Sequence, residues 1–209
     1  MTRVGDRIDE RYELEAHAGA GGMGLVFRAR EIDSDRLVAL KILRQDRGDQ
    51  QRRFEREAAL LAELQHDAIA EYRGQGTLQD GSRYLAMEWI EGPTLTERLR
   101  RKPMEPPEAL RLASRMAAAL GAAHAAGIVH RDMKPANILL PGGEAERAKL
   151  VDFGVARQAG LDTTTLTETG AAVGTLRYMA PEQARDAKQV DARRACGPGC
   201  PRLHRRSTT

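Results

Sequence analysis

The segment "HRDMKPANILL", residues 130–140, places five polar or charged side chains within eight positions. A buried segment rarely holds so many polar groups, because each one needs a hydrogen-bond partner to replace its hydration. The apolar residues on either side, 128–129 and 138–140, predict short strands that flank a loop. The segment is therefore predicted to be a polar loop at the edge of a core, where catalytic residues are common.

Length and composition indicate an ordinary globular protein. The chain has 209 residues, of which 41% are hydrophobic and 30% charged, and its net charge is +3 from 33 basic and 30 acidic residues. That length accommodates one sizeable domain or two small lobes that share a cleft. The basic excess lies mostly at the C-terminus, where such a run is more typical of a solvated end than of a nucleic-acid site.

Targeting and metal signals are weak. No run of eighteen apolar residues occurs, and the N-terminus "MTRVGDRIDE" has no apolar stretch typical of a signal peptide. We therefore expect a cytoplasmic chain without a membrane segment, although a longer parent protein could be anchored. The two cysteines, Cys196 and Cys200, are too few for a disulfide scaffold and lack further zinc ligands nearby.

The order of predicted elements separates a β-rich first part from an α-rich second part. Strands are predicted around a glycine turn, at 37–43 and in "SRYLAMEWIEG", and "QQRRFEREAALLAELQH" has helical spacing. The run "PPEALRLASRMAAALGAAHAAG" predicts a long helix that starts at proline and stops at Gly127. This order predicts two lobes that meet near residues 88–92.

The glycine turn "AGAGGMGLV" contains Gly19, Gly21 and Gly24 in the spacing G-x-G-x-x-G-x-V. Glycines allow backbone N–H groups to approach phosphate oxygens. The motif alone is a weak signal, because glycine turns between strands are common. A strand follows it, whereas a dinucleotide-binding fingerprint opens a helix, so the Rossmann interpretation is not favoured.

Lys41 ends the aliphatic strand "VALK", and Glu57 lies on the next predicted helix beside the inward-facing Ala58 and Leu61. Each of the two charges could by itself simply be solvated at the surface. A Lys41–Glu57 pair would instead hold the ammonium group where it could reach two phosphate groups. Together with the glycine turn, the pair forms a candidate phosphate-binding constellation.

Five motifs occur in one order: the glycine turn, "VALK", "HRDMKPAN", "DFG" and "APE". This order matches the signature set of protein kinases. Over residues 11–191 the sequence resembles the bacterial branch of the eukaryotic-type protein serine/threonine kinases. The resemblance implies an α+β, bilobal fold with a lead-in at 1–10, a β-rich N-lobe at 11–90 and part of an α-rich C-lobe at 91–191.

The resemblance implies a role for each polar residue of the opening segment. Asp132 would accept the proton of the substrate hydroxyl, and Lys134 would contact the γ-phosphate. Lys41, oriented by Glu57, would hold the α- and β-phosphates. The metal ligands would be Asn137 and Asp152, whose oxygens suit Mg²⁺.

Contacts with ATP are also implied by the resemblance. Trp89 lies in the segment between the lobes, either beside adenine or as packing between the lobes. His130 would pack near Phe153 and would not act as a base. The residues expected to contact ATP are Gly19, Gly21, Gly24, Val26, Ala39, Lys41, Met87, Glu88 and Ile90.

Regulation is implied by Arg131, which in this family answers a phosphorylated activation loop. Thr167 and Thr169 in "LTETG" are the favoured phosphorylation sites among several threonines. Autophosphorylation between two copies would require self-association. The alternative is a solvated polar loop without a regulatory role.

The resemblance ends near residue 191. The tail 192–209 contains "CGPGCPRLHRRSTT" and lacks the apolar periodicity of the buried helix that the family places there. We expect a truncated kinase domain with a non-kinase, disordered tail. A one-nucleotide shift of the codons for 197–205 can encode a segment resembling that helix, a frameshift hypothesis that resequencing tests.

Two functions follow as expectations. The first is a protein serine/threonine kinase that uses ATP and Mg²⁺ to phosphorylate protein substrates and its own activation loop. The second is a catalytically incompetent remnant that binds nucleotide without transferring phosphate. The sequence predicts neither a nucleic-acid partner nor a membrane segment.

Overall fold

The computed structural model describes residues 2–21, 24–43 and 50–153. Its first part is a six-stranded antiparallel sheet in the spatial order β1-β2-β3-β4-β6-β5. The strands are β1 (Arg7–Ile8), β2 (Tyr12–Gly21), β3 (Gly24–Glu31), β4 (Arg36–Leu43), β5 (Tyr72–Thr77) and β6 (Arg83–Glu88). The predicted strands around the glycine turn, at 37–43 and in "SRYLAMEWIEG" are therefore confirmed.

One face of this sheet packs into a core of alternating residues. Phe27, Val38, Leu40 and Ala86 are each at most 2% exposed and belong to one apolar cluster. This alternation of buried and less buried residues is the period-two pattern of a strand with one covered face. Their sequence neighbours on β3, β4 and β6 point to the other face, which bears the candidate site.

Two strands of the sheet had no clear sequence signal. β1 lies within the lead-in 1–10, and Ile8 is only 4% exposed, so the sheet begins before residue 11. In β5, Gly74 and Gly76 interrupt the side-chain alternation. Both glycines lie against tyrosines, and a Cβ on Gly74 would stand 2.6 Å from the Tyr12 hydroxyl. Close packing against tyrosine therefore explains glycine in a strand here.

Helix α1 (Gln50–Glu63) crosses from β4 to β5. Phe54, Ala58 and Leu61 are at most 3% exposed, as the predicted helical spacing requires. Glu57 is one residue before Ala58, and its side chain is 23% exposed. The helix therefore holds Glu57 at the margin of the core.

The second part is mainly helical. α2 (Leu95–Arg101) begins with a capping box, in which Thr94 accepts a hydrogen bond from the Glu97 N–H and the Glu97 carboxylate accepts one from the Thr94 N–H. α3 (Pro106–Ala125) buries one apolar face that includes Leu112, Met116 and Ala123. The chain leaves α3 through Gly127, whose φ of 77° favours glycine. The two helices predicted from the sequence are confirmed as α1 and α3.

A small hairpin closes the described part. β7 (Ile138–Leu139) pairs antiparallel with β8 (Lys149–Leu150), after a 3₁₀ turn at Pro135–Asn137. Two further 3₁₀ turns, at Pro141–Gly143 and Ala145–Arg147, connect the two strands. The predicted strand at 128–129 is not formed, and those residues run without regular secondary structure into the polar loop.

The link between the two parts is fastened to the hairpin. The Leu140 N–H donates to the Pro93 carbonyl at 2.9 Å, and Thr94 forms a bridge with Leu139. Gly92 has φ 144°, and a Cβ there would stand 2.3 Å from the Leu140 carbonyl oxygen. Glycine is therefore required at this crossing by both its φ and its packing.

The architecture is the predicted α+β arrangement, with a β-rich lobe followed by a helical one. Within the three described ranges, no helix is both long and apolar enough to cross a membrane. The predicted activation loop and the tail 192–209, including the truncation and frameshift expectations, lie outside the described residues.

Candidate active site

The polar loop surrounds Asp132, which is only 6% exposed. Lys134 donates from Nζ to Asp132 Oδ2 at 2.8 Å. Asn137 donates from Nδ2 to the Asp132 backbone carbonyl at 2.7 Å and to Oδ2 at 3.2 Å. The short 3₁₀ turn makes this convergence possible, because it brings Asn137 back over the loop with its N–H donating to the Lys134 carbonyl. Asp132 is thus a buried carboxylate held by an ammonium and an amide.

His130 anchors the loop to the segment after β8 that carries Asp152. Its Nδ1 accepts from the Asp132 N–H at 3.3 Å, which places the ring proton on Nε2, 2.9 Å from the Val151 carbonyl. Its ring centroid lies 4.7 Å from that of Phe153, so the predicted packing contact is present. Burial lowers the pKa of His130, and the Val151 carbonyl opposes that shift. The ring is therefore a neutral structural element.

The hairpin brings two oxygen-bearing side chains together. β7 follows Asn137 directly, and the Val151 N–H donates to the Asn137 carbonyl at 3.0 Å, so Asp152 lies next to Asn137. Because Asn137 Nδ2 donates to Asp132, the amide oxygen is the remaining polar atom of this side chain. An amide oxygen beside a carboxylate is a donor set that suits Mg²⁺.

Other metal-binding clusters are not found in the described ranges, where no group of three or more His, Cys, Asp or Glu side chains could hold an ion. A cation here would therefore rely on the Asn137 amide in addition to Asp152.

The backbone conformation of the polar loop and of the segment after β8 also supports a functional role. Arg131 and Asp152 both adopt left-handed conformations, with φ 60° and 62°. Non-glycine residues adopt this conformation rarely and often at functional sites.

The partners of Lys41 and Glu57 differ from the prediction. Lys41 Nζ is paired with the carboxylate of Asp152, and its side chain is 15% exposed. Glu57 lies 3.7 Å from the guanidinium of Arg131. Burial lowers the pKa of Arg131, and the carboxylate of Glu57 opposes that shift. The expected Lys41–Glu57 pair is thus replaced in this structure by two other ion pairs.

The predicted ATP contacts on the sheet share one face. Val26 is opposite Lys41 in the β3–β4 register, and Ala39 is opposite Met87 in the β4–β6 register. Residues directly opposite one another, or two apart on a strand, project to the same side. Val26, Ala39, Lys41 and Met87 therefore line the face opposite the Phe27 core.

The glycines of the turn have different roles. A Cβ on Gly19 would meet no heavy atom within 4 Å, so this position leaves open space above the sheet. Gly24 has φ 148°, and a Cβ there would lie 1.9 Å from the Ile42 carbonyl oxygen. Gly24 is therefore required by packing within the sheet, whereas Gly19 borders open space. Gly21 pairs with Gly24 at the end of β2.

The segment between the lobes carries a contact that the sequence did not predict. Lys149 Nζ donates to both carboxylate oxygens of Glu88, at 2.6 and 2.7 Å. Ile90 is 8% exposed, and Trp89 donates from Nε1 to Glu91 Oε2 at 2.9 Å. No local sequence pattern predicts the contact of Lys149, because only the hairpin brings it to Glu88 across 61 residues.

The favoured phosphorylation sites Thr167 and Thr169 lie outside the described residues.

Comparison with known families places this geometry in context. The family described as "Protein kinase domain" matches residues 12–194. The kinase domain of Mycobacterium tuberculosis PknI, a crystal structure, is similar with a TM-score of 0.69 and 27% sequence identity. That match covers 93% of this chain and 72% of the PknI chain.

Three curated relatives are serine/threonine-protein kinases. The chain is 39% identical to pkn3 of Myxococcus xanthus over 91% of its length, 40% to PrkC of Bacillus subtilis over 87%, and 40% to PknB of Mycobacterium leprae over 89%. The matches span 36%, 28% and 30% of those proteins, so the chain corresponds to roughly a third of each. This chain belongs to the protein kinase domain family, in its bacterial serine/threonine-protein kinase branch.

Proposed function

We propose that this chain transfers the γ-phosphoryl group of ATP to serine or threonine hydroxyls of protein substrates. The observation that carries the proposal is the convergence on Asp132, whose buried carboxylate is contacted by Lys134 and Asn137. Asn137 in turn accepts a hydrogen bond at its carbonyl from the N–H of Val151, the residue before Asp152. A candidate proton acceptor, an ammonium and two candidate oxygen ligands therefore lie at one end of the β7–β8 hairpin.

Each residue of the candidate site would have a separate role in phosphoryl transfer. Bound Mg²⁺ and ATP would supply the transferable group and neutralise charge on the phosphate oxygens. Asp132 would orient the acceptor hydroxyl and take its proton, since its carboxylate is fixed by two donors. Lys134, 2.8 Å from Asp132, is close enough to counter negative charge as the phosphoryl group approaches. Asn137 and Asp152 would hold the metal through oxygen.

Nucleotide binding in the proposed mode would have to break the ion pair between Lys41 and Asp152. In the structure the Lys41 ammonium forms an ion pair with the carboxylate of Asp152, which is the proposed metal ligand. If Asp152 held a divalent cation instead, Lys41 would be available to the α- and β-phosphates. Glu57 could then leave Arg131 and orient Lys41, as the family resemblance implies.

A second candidate function is nucleotide binding without phosphoryl transfer. The observed pairings favour it specifically, because Lys41 is held by Asp152 and Glu57 by Arg131. A chain that cannot exchange these partners would bind nucleotide through the sheet face but would not orient its phosphates.

The deciding experiment measures phosphate incorporation from labelled ATP into a generic protein acceptor and into the chain itself. We expect Asp132→Asn to lower incorporation by about a hundredfold or more, with nucleotide binding retained. Asp33→Asn, at an exposed position, is the matched control and should have no effect. If Asp132→Asn incorporated as much phosphate as the unmodified chain, the proposal would be contradicted. Binding without incorporation by the unmodified chain would support the second candidate.

The proposal extends to regulation and association. Mass spectrometry of the incubated chain should find phosphate on Thr167 or Thr169, and trans-autophosphorylation requires two copies to meet. A rate of self-labelling that rises with protein concentration would support self-association. The protein substrate is proposed only as a class, namely proteins with accessible serine or threonine hydroxyls.

A further inference from the structure

The strand that leads to Asp152 is too short to position itself. β8 has two residues and only two pairs with β7, Ile138↔Leu150 and Leu139↔Lys149. A two-residue ladder contributes little rigidity. The location of Asp152, two residues after β8 ends, must therefore depend on contacts beyond the hairpin.

The connection between α1 and β5 provides one such contact. The Leu150 N–H donates to the Ala68 carbonyl at 2.8 Å, and the Ala70 N–H donates to the Leu150 carbonyl at 2.9 Å. Ile69 forms an isolated parallel bridge with Leu150. β8 therefore lies between β7 on one side and residues 68–70 on the other.

Arg115 on α3 fastens both of these segments at the point where they begin. Its Nε donates to the Ala148 carbonyl at 2.8 Å, and its Nη2 donates to the Asp67 carbonyl at 2.9 Å. Ala148 directly precedes β8, and Asp67 directly precedes residues 68–70. The side chain of Arg115 is 23% exposed, and Nη1 is also 3.6 Å from Asp67 Oδ2. The guanidinium is planar with fixed donor directions, so it sets the separation of the two carbonyls.

We propose that Arg115 is a positioning residue for the metal-binding carboxylate of Asp152, an inference that rests on the proposed function. By fixing the starts of β8 and of residues 68–70, it determines where β8 emerges and hence how Asp152 faces Asn137. Residues that support metal ligands commonly change metal affinity by about tenfold to a hundredfold when they are removed. No local sequence pattern singles out Arg115, because its partners are backbone carbonyls 33 and 48 residues away.

Arg111 is the matched control. It lies one turn earlier on α3 and forms an ion pair with Glu146 at the surface, with the two side chains 54% and 51% exposed. It contacts neither β8 nor residues 68–70 among the interactions of the described residues. Loss of Arg111 removes the same charge from the same helix without disturbing the strand that leads to Asp152.

The test uses the full 209-residue chain and its single tryptophan, Trp89, as a fluorescent reporter beside the proposed adenine site. The dissociation constant of ADP is measured in EDTA and in excess Mg²⁺, and their ratio gives the gain in affinity due to the metal. We expect Arg115→Met to reduce this gain by about tenfold and to change the metal-free constant by less than about twofold. Arg111→Met should match the unmodified chain in both. Arg115→Lys, which can reach only one carbonyl at a time, should fall between.

The outcomes separate the two proposals. If the unmodified chain binds ADP with no gain from Mg²⁺, the proposed function fails, and this inference fails with it. If the gain is present and a folded Arg115→Met, checked by circular dichroism, retains it, only this inference is overturned. If Arg115→Met does not fold, Asp67→Ala and Arg115→Lys decide. Asp67→Ala leaves both carbonyls bound and should keep the full gain, whereas Arg115→Lys should not, and any other pattern overturns the inference.

Discussion

The guanidinium of Arg131 lies 3.7 Å from the carboxylate of Glu57, in a contact between the polar loop and helix α1. Both side chains are mostly buried, at 18% and 23% exposure. Arg131 is the residue that the family resemblance assigns to a phosphorylated activation loop. In the structure Arg131 is instead paired with Glu57, the acid expected to orient Lys41. This ion pair links the regulatory and catalytic sets of residues.

Glu57→Gln should impair phosphoryl transfer more than nucleotide binding. The glutamine cannot pair with Lys41 once a metal has displaced that lysine from Asp152. We expect kcat/KM to fall by about tenfold, which corresponds to about 1.4 kcal/mol of lost transition-state stabilisation. Glu63→Gln at the exposed end of α1 is the control for removal of a charge from the same helix. An unchanged kcat/KM in Glu57→Gln would show that Lys41 needs no acidic partner on α1.

Two glycine-to-alanine substitutions should have opposite effects on stability. Gly92→Ala places a side chain at φ 144° and 2.3 Å from the Leu140 carbonyl oxygen, so we expect a loss of roughly 1 to 3 kcal/mol. Gly121 lies inside α3 with nothing within 4 Å of an added Cβ. Gly121→Ala should stabilise by about 0.5 to 1 kcal/mol, because alanine has the higher helix propensity.

Urea unfolding of the two variants and the unmodified chain measures both effects. A Gly92→Ala chain as stable as the unmodified one would mean that the link between the lobes is not packed against Leu140 in solution.

Two leucine substitutions test the core of the helical part. Leu140 is fully buried in the larger apolar cluster, whereas Leu110 on α3 is 71% exposed. Leu140→Ala should lower the free energy of unfolding by about 2 to 5 kcal/mol, because it removes buried contacts and leaves a cavity. Leu110→Ala should change it by less than about 0.5 kcal/mol. Similar losses in both variants would indicate that Leu110 is covered in the full chain.

Stability should decrease as the pH falls below the ordinary histidine range. Burial lowers the pKa of His130 below its usual 6.5, so the unfolded chain binds a proton at a higher pH than the folded chain does. The contribution is complete above pH 6.5 and is lost as the pH falls from there through the lower folded-state pKa, at no more than about 1.4 kcal/mol per pH unit. Burial lowers the pKa of His124 as well, which adds in the same direction.

Urea unfolding of the unmodified chain and of His130→Phe at pH 7.5 and 5.5 isolates the contribution of His130 to the pH dependence. The phenylalanine keeps a ring beside Phe153 and cannot titrate, while the other histidines are the same in both chains. We expect His130→Phe to be less stable at pH 7.5, since the Val151 carbonyl loses its donor, and to lose less stability at pH 5.5. An equal loss in both chains would assign the pH dependence to other groups.

Local pattern predicted the elements with regular periodicity. The helix α3 and the strand β4 follow from the spacing of apolar residues, and motif order indicated the two-lobe fold. β5 was missed because Gly74 and Gly76 remove the alternation that marks a strand, and their reason is contact with tyrosines from other strands. The residues 128–129 were predicted as a strand because they are apolar, but no neighbouring strand pairs with them among the described residues.

The motif order placed Asp132 and Asn137 in the candidate site, and the structure brings their side chains into contact. The site was not predictable where a pairing depends on conformation. Lys41 was expected to pair with Glu57 and pairs with Asp152 instead, because the sequence does not show which carboxylate the fold brings to that ammonium. Arg115 and Lys149 were missed because their partners come from distant parts of the chain.

The attachment of Gly92 to Leu140 also marks where the link between the two parts joins the hairpin. From Gly92 onward the link is held to the hairpin by close packing, by the Leu140–Pro93 hydrogen bond and by the Thr94–Leu139 bridge. Before it, Glu88 is still paired with Val38 in the sheet. Residues 89–91, beside the proposed adenine position, are therefore the whole span between the last residue paired in the sheet and the first residue packed on the hairpin.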